Sequence, residues 1–226
     1  MLIHGLQKMT LLDFPGHVAC TVFLGGCDMR CPFCHNAELL DARAPALMDE
    51  EGLFEFLKKR KGLLDGVAFT GGEPMLRKDL PDVAAKIKEM GFLVKVDTNG
   101  NHPDMLKRFI DEGLADHIAM DIKNSRELYG KTCGIEGFDI GRIEKSIGLL
   151  LDGKCSFEFR TTCIRQFHDE SSFEGIAQWI DGAENYFLQN FVDRESVPFA
   201  GLSGFTKEEL ESRYEILLEL LKVFRG

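Results

Sequence analysis

The loop Gly25-Gly26-Cys27-Asp28-Met29-Arg30-Cys31-Pro32-Phe33-Cys34-His35-Asn36 carries three cysteines in a C-x3-C-x2-C array. On a glycine-led loop, three thiolates can converge on one metal centre, and the number three is informative. A cubane iron–sulfur cluster has four irons, so three protein ligands leave one iron free to bind something else. The competing reading is a Cys3His zinc site completed by His35, because zinc takes sulfur and nitrogen and usually wants four protein ligands. That site would need the adjacent Cys34 and His35 to turn inward on one ion, and no second metal-binding knuckle follows. An iron–sulfur cluster is therefore expected on Cys27, Cys31 and Cys34.

Four later segments place polar residues where strands should end. In Thr70-Gly71-Gly72-Glu73-Pro74 the two glycines let backbone carbonyls approach a ligand that a side chain would hold away, although a plain turn would read the same. Asp97-Thr98-Asn99-Gly100 reads alone as a tight turn beside a solvated carboxylate. In Met120-Asp121-Ile122-Lys123, Asp121 and Lys123 share one face of a strand and could form a simple surface pair. Two carboxylates and an ammonium on neighbouring strand tips nevertheless suit a ligand bearing carboxylate, ammonium, sulfonium and ribose hydroxyls. Arg160 is a charge inside an apolar strand and needs a partner, structural or functional. Gln189 and Asn190 end the last strand, where they could reach a ligand edge or merely cap a loop. Cys20, Cys133, Cys155 and Cys163 show no ligand spacing and read as small core residues.

The elements that must position these groups alternate. Short apolar runs rich in β-branched or aromatic residues predict strands at 19–24, 67–69, 93–96, 117–122, 156–161 and 186–190. Helical patterns fall between them at 50–61, 80–90, 103–112, 139–151 and 170–180. Gly91 and Gly113 close two of these helices, and Thr206 with Glu209 forms a capping box that opens a last helix toward Leu221. Strand–helix alternation argues for parallel strands joined by crossovers.

Composition narrows the class. The 226 residues carry 27 Lys+Arg against 37 Asp+Glu, a formal charge of −10 that argues against a nucleic-acid partner. Neither a targeting segment near Met1 nor an apolar run of bilayer length is present, so a cytoplasmic protein away from membranes is expected. The seven cysteines fit a metal site in a reducing compartment better than a disulfide framework. No repeat, low-complexity tract or linker interrupts the chain, and a single domain over residues 1–226 is expected.

Cys27-x3-Cys31-x-Phe33-Cys34 resembles the signature of the radical S-adenosylmethionine superfamily, including the aromatic residue before the last cysteine. The resemblance implies that the open iron chelates the amino and carboxylate groups of S-adenosylmethionine and that the reduced cluster splits it to a 5′-deoxyadenosyl radical. Phe33 and His35 would flank the adenine, and Gly71, Gly72, Glu73 and Pro74 would receive the methionyl ammonium group.

The segments around Asp97 and Asp121 are similar to those of glycyl-radical-enzyme activases. By that resemblance Asp97, Thr98 and Met120 would hold a monovalent cation, while Asp121 and Lys123 would contact S-adenosylmethionine; Asp97, Asn99, Arg160 and Gln189 are further candidate contacts from their places on the strands. Residues 5–16, Arg160-Thr161-Thr162 and Leu188-Gln189-Asn190-Phe191 are similar to the group that activates anaerobic ribonucleoside-triphosphate reductase. Residues 41–65 lack the extra cysteines of activases with a ferredoxin-like insertion, so an external donor, flavodoxin or ferredoxin, is implied. Val197-Pro198-Phe199-Ala200-Gly201 departs from the Pro-Tyr-His segment of pyruvate formate-lyase activases.

Every motif falls at the carboxyl end of a predicted parallel strand, as in barrel-type α/β folds. The expected fold is a partial (β/α)6 barrel with a radical SAM core, and the expected activity is generation of a glycyl radical on a protein partner. Two other readings stay open: a radical SAM enzyme acting on another glycyl-radical enzyme, a peptide or a small molecule, and a non-catalytic Cys3His zinc module.

Overall fold

The computed structural model describes residues 1–213. In chain order its elements are β1 (Leu2–Ile3), β2 (Gly5–Thr10), β3 (Ala19–Leu24), β4 (Met48–Asp49), α1 (Glu50–Lys58), β5 (Gly66–Gly71) and α2 (Leu80–Glu89). There follow β6 (Leu93–Thr98), α3 (Pro103–Asp111), β7 (His117–Asp121), α4 (Tyr129–Cys133), α5 (Ile140–Leu151), β8 (Ser156–Cys163), α6 (Glu170–Trp179) and β9 (Tyr186–Asn190). Seven strands form one sheet in the order β2-β3-β5-β6-β7-β8-β9, and β1 pairs with β4 apart from it. From β3 to β9 every pairing is parallel, so the six expected strands make the half-barrel expected from their alternation with helices.

Val67, Ala68, Phe69, Val94, Val96, Ile118, Ala119 and Met120 are fully buried, because parallel strands carry helices on one face and the barrel interior on the other. The helices begin where the chemistry says they should. Asp49, Asp139 and Asp169 accept backbone N–H groups of the first turns of α1, α5 and α6, and Ser172 answers Asp169 in a capping box. The last helix opens at Thr206 as read. Thr206 Oγ1 accepts the Glu209 amide at 3.2 Å, and the Glu209 carboxylate accepts the Thr206 amide at 2.7 Å. Its course toward Leu221 lies outside the described residues.

Register delivers the strand tips side by side. Leu24 stands opposite Gly71, Thr98 opposite Met120, Asp121 opposite Arg160, and Thr162 opposite Gln189. Beyond the strands, the last one is linked to the first of the parallel set. The segment after β9 returns to the cysteine loop, where the His35 ring nitrogen meets Val192 O at 2.7 Å and the Phe199 amide donates to Pro32 O at 3.3 Å.

Two features differ from expectation. Residues 5–10, read only as part of a motif, form β2, antiparallel to β3 with a register shift between Gln7 and Thr10. The hairpin that follows drives Phe14 beneath the sheet, 3% exposed, against Gly66 and near His117. The short helix α4 was also not foreseen. It braces the cysteine loop from behind, its Cys133 carbonyl accepting the Arg30 amide at 2.9 Å. Among the described residues no helix is long and apolar enough to cross a membrane.

Candidate active site

The cysteine loop leaves β3 and is fixed from several sides before any side chain converges. Gly25 N donates to His4 Nδ1 at 2.8 Å, Gly26 N to Leu39 O at 2.8 Å and Cys27 N to Leu40 O at 3.2 Å. The neighbouring β5 tip is stitched to it: Gly72 N donates to Leu24 O at 2.8 Å, Glu73 N to Gly26 O at 2.7 Å, and Asn36 Nδ2 to Gly71 O at 3.1 Å. This approach needs glycine. A Cβ on Gly71, whose φ is +112°, would lie 2.6 Å from Leu24 backbone atoms, and one on Gly72 would lie 2.2 Å from Gly26 O.

Between the loop and the strand tips lies a cavity of about 240 Å³. It gathers Cys27, Cys31, Cys34, Phe33 and His35 from the loop and Gly71, Gly72 and Glu73 from the β5 tip. Asp97, Thr98 and Asn99 enter from β6, Asp121 and Lys123 from β7, Arg160 from β8 and Gln189 from β9. Pro74 and Met120 do not line it. Pro74 begins a short 3-10 turn capped by Glu73, and the Met120 side chain packs beside Gly100, leaving only its backbone at the tip. Asn190 turns away to bond both backbone groups of Phe205, at 2.7 and 2.8 Å, so its role is the loop cap.

Glu73 joins two tips. It is 1% exposed and accepts from Thr98 Oγ1 at 2.8 Å, Asn99 N at 2.6 Å and Met75 N at 2.9 Å. Burial pushes its carboxyl up to about 7, against the pull of those three donors toward the charged form. Across the cavity, Asp121 accepts from Lys123 Nζ at 2.8 Å and from Arg160 Nε at 3.2 Å. Burial alone would raise its carboxyl, but the two cations overcome it and hold the group at about 2. Lys123 and Arg160 are kept charged despite burial, by Asp121 and by Asp97 with Asp121 respectively. Arg160 thus has its ion pairs and also faces the cavity.

Three side chains that the sequence did not single out complete the arrangement. Asp28, inside the cysteine loop, accepts from Asn99 Nδ2 at 2.9 Å, and its second oxygen meets Asn101 and, at 3.0 Å, His102. Burial would raise this carboxyl too, yet His102, Asn99 and Asn101 hold it well below the usual range. Lys95 and Glu158 lie deeper, on β6 and β8, in the same charge network as Asp97 and Arg160. Their one signal in the sequence is a charge set among apolar residues of a strand.

The chain belongs to the radical SAM superfamily, which matches residues 21–180, from the first parallel strand through α6. Within it the chain falls among glycyl-radical enzyme activating enzymes. It is 32% identical over 201 residues to a Methanocaldococcus jannaschii protein provisionally named as such an enzyme, covering 86% of this chain and 82% of that one. It is also 32% identical over 151 residues to the pyruvate formate-lyase-activating enzyme of Clostridium pasteurianum. That match takes in 61% of this chain and 60% of that enzyme, less than two thirds of its length. Among solved structures, a domain of pyruvate formate-lyase-activating enzyme from Bacteroides vulgatus superposes with a TM-score of 0.54 at 17% identity, over 69% of this chain and 94% of that one. SuiB of Streptococcus suis bound to S-adenosylmethionine gives 0.67 at 12% identity, over 89% of this chain and 49% of that one. At such identities the structures speak to the fold alone.

Membership implies a [4Fe-4S] cluster and S-adenosylmethionine, and the donor set suits them. Burial pushes the Cys27 thiol up to about 11 and that of Cys31 to about 12, so these sulfurs ionise only when a cation takes the proton's place, as iron does. Cys27, Cys31 and Cys34 all line this cavity, and a cubane takes one thiolate on each of three irons.

Proposed function

We propose that this enzyme activates an anaerobic ribonucleoside-triphosphate reductase by generating a glycyl radical on it. The observation that carries the reading is the segment after β9. Where pyruvate formate-lyase activases present a histidine to the cosubstrate, residues 197–201 offer none, and this stretch is tied to the cysteine loop through the Phe199 amide and Pro32 O. The motifs shared with reductase activases, in residues 5–16, 160–162 and 188–191, support the same partner.

Cys27, Cys31 and Cys34 would hold the cluster, which when bound supplies the electron that cleaves S-adenosylmethionine. Gly71 and Gly72 would present backbone carbonyls to the methionyl ammonium group, with Glu73 fixing the tip that carries them. Asp121 and Lys123 would orient the ribose and carboxylate region, Arg160 and Gln189 would close the far side, and Phe33 and His35 would flank the adenine. The phenyl ring of Phe191 stacks on His35 at 5.3 Å between centroids, which fixes the imidazole for that task. No side chain needs to act as an acid or base. Flavodoxin or ferredoxin in the cytoplasm would provide the electron.

The test mixes anaerobically reconstituted protein with the reductase of the same organism, a reductant and S-adenosylmethionine. The expected result is an electron paramagnetic resonance doublet from the single α-hydrogen of a glycyl radical, absent with Cys34→Ala. Cosubstrate cleavage without that doublet, accompanied by modification of another protein or metabolite, would move the assignment to a different radical SAM reaction.

A further inference from the structure

Among the described residues, Lys95 is a lysine sealed in the barrel interior, with 1% of its side chain exposed. Its ammonium donates to Asp97 Oδ1 at 2.6 Å and lies 3.9 Å from Glu158 Oε1. The other oxygen of Asp97 faces Arg160 at 3.4 Å. Asp97 is the carboxylate on which the activase resemblance places a monovalent metal ion, and here each of its oxygens already meets a cation of the chain itself.

The charges around it balance. Lys95, Arg160 and Lys123 stand against Asp97, Asp121 and Glu158, joined by contacts of 2.6 to 3.9 Å. His117, 3.4 Å from Glu158, adds positive charge when protonated. A further metal cation would have to enter a neutral network in a poorly solvated site, beside a cosubstrate whose sulfonium and ammonium outweigh its carboxylate by one positive charge. Buried charge is tolerated where it is paired, and an unpaired surplus of one sign is costly. The donor set therefore does not fit an added metal ion.

We propose that the Lys95 ammonium replaces the monovalent metal ion, so that this chain binds S-adenosylmethionine without one. The side chains of residues 95 and 97 project from the same face of β6, and the long lysine stem carries its charge up to the carboxylate from below. Glu158 anchors the ammonium from β8. The inference rests on the cavity being the S-adenosylmethionine site.

The experiment measures S-adenosylmethionine affinity of the anaerobic, cluster-loaded protein by calorimetry, with potassium, sodium or tetramethylammonium as the sole monovalent cation. The wild type should bind equally in all three, within about twofold. In Lys95→Met, affinity in tetramethylammonium should fall by about tenfold or more, the scale of a lost close charge pair, and potassium or sodium should restore it. Lys95→Met combined with Glu158→Gln removes one charge of each sign, leaves the network neutral and should bind equally in all three salts, as the wild type does. A wild type that loses about tenfold in tetramethylammonium, a folded Lys95→Met that stays indifferent to the cation, or a double variant that needs potassium or sodium would overturn the proposal. If Lys95→Met fails to fold, the wild-type comparison decides alone. Binding in none of the salts would instead sink the cavity assignment on which the proposal rests.

Discussion

Several ionisable side chains around the cavity are perturbed for reasons that can be named, and two of the causes lead to measurements. The Cys27 and Cys31 thiols are held neutral by burial, which the Met29 amide at Cys27 and Lys123 at both offset only in part. Replacing Cys31 by Ala should lower iron from about four per chain and abolish 5′-deoxyadenosine formation, both read on anaerobically reconstituted protein. Retention of full iron would count against Cys31 as a ligand. Asp121 is the opposite case, a carboxylate held at about 2 in the folded chain against an ordinary value near 3.8. Because the folded value is depressed, its stabilisation is fully present above the ordinary value and is lost as pH falls through about 2. The unfolding free energy of the metal-free wild type should exceed that of Asp121→Asn by about 2 kcal/mol at pH 6. The gap should close between about pH 5 and pH 2, and a gap independent of pH would refute the linkage.

At the scale of elements, the strand tips are held to one another by side chains from neighbouring loops as well as by the ladder beneath them. Asp28 is the clearest instance, reaching from the cysteine loop to three residues beyond β6. Asp28→Ala would leave Asn99, Asn101 and His102 without their shared acceptor, a loss of about 1–3 kcal/mol. The expected outcome is faster iron release to a chelator and a lower melting temperature, with the far-ultraviolet circular dichroism unchanged. Unaltered iron release would show that the loop is held by its backbone contacts alone. The same scale explains what the sequence revealed. Strands 3 and 5 to 9 were readable because burial on both faces demands largely apolar runs such as Ala19–Leu24. Strand β2, Gly-Leu-Gln-Lys-Met-Thr, is an edge strand with three exposed residues and carries no such signal. Helix α4, with Gly, Thr and Cys in five residues, has little helical propensity of its own and is held by its packing against the cysteine loop.

For the whole molecule, the legible part of the site is the part that lies at strand ends. There a parallel sheet collects residues far apart in sequence, and knowing that the strands are parallel was enough to collect Asp97, Asp121 and Lys123. Lys95, Glu158 and Asp28 stayed hidden because each gains its meaning from a partner on another strand or loop, and pairing across strands leaves no local pattern. The stitching of these tips has a further consequence. The Asn99 amide ends on Glu73, whose own amide ends on Gly26 in the cysteine loop, while the Asn99 side chain ends on Asp28 in that same loop. An amide that touches no metal ligand through its own N–H thereby becomes a reporter of the metal's presence. In hydrogen–deuterium exchange, stripping iron should speed exchange at Asn99 by about tenfold or more, the signature of a lowered cost of local opening, while amides in the middle of β6 keep their protection. Equal exchange with and without iron would mean that the third strand tip is insulated from the loop that it helps to hold.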